Sequence, residues 1–100
     1  MGLFKKKVIK EINGALWGHL FNEHGINVDV LSKEMRYVER EGDLNGEKVM
    51  LLRVFKPMEA QQKGIPTIGW ETFDQHPDLI LFEGHLTKNT NIAHLERKRA

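Results

Sequence analysis

Two histidines bracket a glutamate in the stretch from Gly18 to Gly25, GHLFNEHG, and the first question is whether they share a metal ion. A helix chelates zinc through side chains four apart, as in H-E-x-x-H, because that spacing brings both to one face. His19 and His24 are five apart, which leaves them about 140° out of line on a helix. Gly25 is also placed to end the helix beside them in a left-handed cap. No metal is expected at this pair, and Glu23 is within hydrogen-bonding reach of His19 from one turn away. Glu83 and His85 are the second titratable pair. Two apart on a strand-like run, they point to the same side, as an acid and base acting together must. An enzyme using Glu83 and His85 is therefore one reading, and the wet end of a strand is the plain one. With no nucleophile motif and no glycine-rich phosphate loop in the sequence, no catalytic residue is assigned and no cofactor is implied.

A third group depends on a turn. Asn45-Gly46 is the pair that best tolerates the positive φ angles of a two-residue hairpin loop. With those two residues as the loop, Leu44 faces Glu47, Asp43 faces Lys48 and Val38 faces Arg53. Arg36 and Arg40 then share the face of Arg53, and three guanidiniums near one point can grip phosphate or carboxylate groups. Anion or nucleic-acid binding through Arg36, Arg40 and Arg53 is the alternative function this supports, helped by basic termini (Lys5, Lys6, Lys7 and Lys10; Arg97, Lys98 and Arg99). Pairing of these arginines with acids of the chain's middle, such as Glu83, competes with it. Stacking aromatics, which readers of single-stranded nucleic acid interleave with their bases, are sparse, with Phe55 on that face and Tyr37 on the other. The tripeptide His76-Pro77-Asp78 is the one J-domain co-chaperones carry between two helices. Here strand-like residues follow it, so it reads as a turn and nothing of that family is transferred.

The remaining candidate is a surface. Phe4, Val8, Ile12, Ala15, Leu16, His19 and Leu20 recur at intervals of three and four and predict an amphipathic helix of about five turns over 4–20. Leu3, Trp17 and Phe21 fall outside its apolar face, and Gly14 and Gly18 flank Trp17. Glycine in a helix interior costs about 1 kcal/mol relative to alanine, so the pair invites a packing reason. A second subunit or a protein partner docked on Leu3, Gly14, Trp17, Gly18 and Phe21 supplies one. Cover from the C-terminal segment or the loop around Trp70 supplies another. The leading expectation is a non-enzymatic protein-interaction module, homodimeric through this surface.

The elements that position these residues follow from pattern. One hundred residues, 40% hydrophobic and 29% charged, describe one soluble globular domain, 1–100. The absence of cysteine excludes disulfides and thiolate chemistry and favours a cytoplasmic setting. No apolar run reaches the roughly 18 residues that span a bilayer. No export signal is read at the N-terminus, and Gly2 lacks the Ser or Thr that myristoylation wants where Lys6 stands. After the N-terminal helix, residues 26–34 are ambiguous between strand and helix. Two hairpin strands come next, then a short helix opened by Pro57 and closed by Gly64, then a loop with one helical turn. Two further strands meet through the polar turn Lys88 to Asn91. The expected class is α+β, with an N-terminal amphipathic helix packed on an antiparallel sheet of about four strands and a short crossover helix.

Overall fold

Asn45 and Gly46 both take positive φ, 53° and 83°, and so close the hairpin of β2 (Arg36–Leu44) and β3 (Glu47–Phe55) with the two-residue loop that matches strand twist. The register runs as predicted, pairing Leu44 with Glu47, Asp43 with Lys48 and Val38 with Arg53. The computed structural model describes residues 9–88 and 92–99. The other strands are β1 (Lys10–Glu11), β4 (Phe82–Thr87) and β5 (Ala93–Arg97). Among the described residues the sheet has five strands in the order β1-β2-β3-β4-β5, every neighbour antiparallel. The class is α+β, as its pattern implied.

The helices are α1 (Gly14–His24), α2 (Val28–Lys33), α3 (Pro57–Gln62) and α4 (Thr72–Gln75), with a 3₁₀ turn at Pro77–Leu79. The predicted helix over 4–20 is thus corrected. Residues 10 and 11 are extended, the helix begins at Gly14, and residues 4–8 lie outside the described residues. β-branched Ile9 and Ile12 suit a strand, and Asn13-Gly14 breaks the chain direction, with Gly14 at φ 56°. The far end of α1 follows expectation: Gly25 is left-handed at φ 65°, and the N–H groups of Gly25 and Ile26 bond Phe21 O and Leu20 O. The ambiguous stretch is α2, started by Asn27, whose side chain accepts from Asp29 N at 2.7 Å, and anchored by fully buried Leu31.

Strand alternation sorts the core onto the sheet's two faces. Leu52, Val54, Phe82 and Leu95 meet Leu16 and Leu20 of α1 and Leu31 of α2 on one side. Val38 and Phe55 meet Ala60, Trp70, Phe73, Leu79 and Ile80 of the β3–β4 crossover on the other. Both faces are therefore roofed, by α1 and α2 on one and by the short helices and loops of the crossover on the other. Ion pairs tie the crossover down: Lys63 to Asp78, and Arg99 across both oxygens of Glu59 at 2.8 and 2.9 Å. The hydrogen bond from Lys63 holds the Asp78 carboxyl below its ordinary range. At β1, the hydrogen bond to Glu39, 3.0 Å away, raises the Lys10 ammonium, and burial raises the Tyr37 phenol. No helix among the described residues is long and apolar enough to cross a membrane.

Candidate functional site

α1 buries Leu16 and Leu20 and turns Trp17 and Phe21 toward its outer flank. Their rings stack, centroids 5.4 Å apart and 11° from parallel. Trp17 is half-buried against the first core, whereas Phe21 remains 43% exposed. Gly14 and Gly18 share that flank by helical spacing. Among the described residues a Cβ at Gly18 would meet nothing nearer than Asn22 Nδ2 at 4.0 Å, so none of them demands glycine there. Gly14 is explained by its positive φ, since it opens the helix rather than sitting inside it. Leu3 lies outside the described residues. Trp70 does not cover this flank, because it is buried on the opposite side of the sheet.

The three arginines share a sheet face but do not converge on one point. Arg36 turns to the end of α2, donating from Nη1 to Ser32 O at 3.0 Å and Met35 O at 2.7 Å. Arg53 spreads its donors over three acceptors: Nε to Glu83 Oε2 at 2.9 Å, Nη1 to Trp70 O at 2.8 Å and Nη2 to Asp74 Oδ1 at 3.1 Å. Its guanidinium lies 4.1 Å from the centroid of Trp70, and that of Arg40 lies 4.8 Å from it. Trp70 is the residue sequence reasoning missed at this node. It belongs to a stretch without periodicity, and only the tertiary fold carries it to the sheet.

His19 and His24 meet after all, with ring centroids 5.1 Å apart, because His24 sits in the last turn of α1. They serve the sheet. β5 is an edge strand, and Thr87 N bonding Ile92 O and Lys98 N bonding Leu81 O fix which of its residues face β4. By alternation Leu95 presents its own N–H and C=O outward. Leu95 N–H donates to His19 Nε2 at 3.2 Å, and His24 Nε2 donates to Leu95 O at 3.2 Å. A backbone amide can only donate and a carbonyl only accept, so His19 carries its proton on Nδ1 and His24 carries one on Nε2. Two side chains thereby stand in for a sixth strand, which protects an otherwise open edge. His19→Ala is expected to cost about 1 kcal/mol and to speed amide exchange at Leu95. Unchanged exchange there would refute the edge role.

Across the sheet from this pair, Glu83 faces Glu96 and His85 faces His94. The four side chains occupy one face, beside a cleft of about 290 Å³ that His19, Gly84 and Leu95 also line. Glu83 and His85 point to the same side of β4, as their spacing predicts, but Glu83 is engaged by Arg53 and His85 contacts the His94 ring, centroids 5.2 Å apart. Among the described residues no three histidine, aspartate or glutamate side chains form a closed ligand set. These surfaces sit on a five-stranded antiparallel α+β domain roofed on both faces. Comparison with known proteins finds no matching family, no similar curated protein and no similar solved structure.

Proposed function

We propose that this chain is a non-enzymatic protein-interaction module of the cytoplasm that self-associates through the outer flank of α1. The observation that carries the reading is the Trp17–Phe21 stack, which leaves Phe21 43% exposed. A rigid aromatic pair offers a large apolar area at little entropic cost, which is why such residues dominate interface energetics. No described residue comes nearer than 4.0 Å to where a Cβ at Gly18 would stand, which leaves a facing helix room to approach closely. A second copy presents the same flank, so a two-fold arrangement sets each aromatic pair beside the other's glycine notch. Anion binding has weaker support: Arg53 would have to release three acceptors, Arg36 is held by α2, and Arg99 is clamped on Glu59.

Sedimentation equilibrium of the wild type and of Phe21→Glu tests the reading. Phe21 is the better target because it is exposed, whereas Trp17 also supports the core. The wild type is expected to dimerise, and Phe21→Glu to weaken dimerisation by about tenfold or more, equivalent to about 1.4 kcal/mol, without loss of folded structure. A wild type that stays monomeric at high concentration removes the proposal.

A further inference from the structure

We propose that His85 and His94 form a bidentate site for a divalent first-row transition ion of the kind that prefers imidazole: copper, nickel or zinc. The two residues are direct cross-strand partners on β4 and β5, so the backbone ladder holds their Cβ atoms on the same face and within reach of each other. Their ring centroids are 5.2 Å apart and the planes meet at 34°. Ligand nitrogens about 2.0–2.1 Å from one ion lie about 3 Å from each other. Rings at this separation reach that geometry by side-chain rotation while the strands stay in place.

Among the described residues neither imidazole has a hydrogen-bond or ion-pair partner, and each ring lies against the other. This separates them from His19 and His24, whose rings are equally close but whose Nε2 atoms are committed to Leu95. Charge next to the pair favours a cation. Glu96, two residues from His94 on the same face, has an 85% exposed side chain that lies 3.9 Å from Lys98. Glu83 also borders the cleft, but its carboxylate is already compensated by Arg53 at 2.9 Å and lies 3.9 Å from Lys98. The histidines are therefore the donor set, with solvent completing the coordination. Imidazole donors with open positions suit copper, nickel and zinc, whereas magnesium demands oxygen ligands. An ion held here would tie edge strand β5 to β4.

Titration calorimetry of the intact chain with nickel chloride, and separately with magnesium chloride, tests the site. One saturable nickel site per chain is expected, weakened about tenfold or more in His85→Ala and in His94→Ala, retained in His76→Ala and absent with magnesium. Copper(II) line broadening in the wild-type NMR spectrum supplies a readout that needs no variant, and it should fall first on the ring protons of His85 and His94. The proposal is overturned by the absence of saturable nickel binding up to about 1 mM. Binding unchanged in both alanine variants overturns it too, as does broadening that falls first on His19, His24 or His76.

Discussion

Gly84→Ala is expected to be the most damaging small substitution in the chain, costing about 3 kcal/mol or more. Gly84 lies on β4 opposite Leu95, between Phe82 and Leu86. A Cβ there would stand 1.8 Å from the carbonyl oxygen of His94 and 2.8 Å from both His94 C and Leu95 Cα. All three are backbone atoms, so no side-chain rotation relieves the overlap and β5 must move away from β4. The displaced strand carries Leu95, which belongs to the first core and holds the two α1 histidines. With each 1 kcal/mol worth about 4–8 °C in a domain of this size, the melting temperature should fall by roughly 12 °C or more. Gly42→Ala is the matched control. Its Cβ would come within 2.7 Å of Leu51 Cδ1 and 2.9 Å of Leu51 Cγ, all side-chain atoms that a χ1 rotation of the half-buried leucine can move, and the cost should stay well below that at Gly84, at about 1 kcal/mol. Thermal melts by circular dichroism compare the two, and equal melting temperatures would show that the β4–β5 approach is not tight.

The parts of the fold legible in the sequence are those in which local chemistry alone decides the outcome. Asn45-Gly46 dictates both a turn and a loop length, and loop length sets register, so the pairing of Val38 with Arg53 follows from two residues. Pro57 and Gly64 likewise bracket α3 without help from the rest of the chain. The start of α1 was not legible. Ile12, Leu16 and Leu20 keep a spacing of four across a true boundary, so the helical period ran straight through the Asn13-Gly14 break and concealed a two-residue strand. Roofing of the second sheet face was hidden for a different reason. Trp70, Phe73, Leu79 and Ile80 are spread over loop, the single turn of α4 and the 3₁₀ turn, and reach the same core only once β3 and β4 pair.

The same division holds for the candidate sites. Alternation placed Arg36, Arg40 and Arg53 on one face, but where each guanidinium goes depends on α2 and the crossover, which share no local pattern with the hairpin. The turn assigned to Lys88 to Asn91 makes Thr87 face Ile92, which by antiparallel counting already sets His85 against His94. That signal was present, although the turn's residues 89–91 are outside the described residues. Capture of Leu95 by His19 and His24 had no sequence signal. It needs β5 at the sheet edge and α1 alongside, a relation between residues more than seventy positions apart.

Arg53→Ala should lower stability by about 3 kcal/mol, comparable to the loss at Gly84 but by a different route. The Arg53 side chain is only 13% exposed, and its fork reaches acceptors from β4, the crossover loop and α4 at once. Hydrogen bonds to charged groups contribute about 1.5–3 kcal/mol each when buried. The bond to Trp70 O and the half-screened pair with Glu83, 33% exposed, therefore carry most of the loss. The Asp74 contact adds less, since that carboxylate is 57% exposed. Stacking on Trp70 adds about 0.5–1 kcal/mol, at a ring whose buried Nε1 has no hydrogen-bond partner among the described residues. Arg53→Lys should recover no more than about a third of the loss, since one ammonium on a flexible stem cannot serve three separated acceptors or stack as a plane. Arg40→Ala, at an exposed position on the same ring, should stay within about 0.5 kcal/mol of wild type. Urea unfolding followed by circular dichroism measures all three. An Arg53→Ala protein as stable as wild type would mean that the guanidinium gains little from its acceptors. It could then leave them for a phosphate, and the anion-binding reading would become the stronger one.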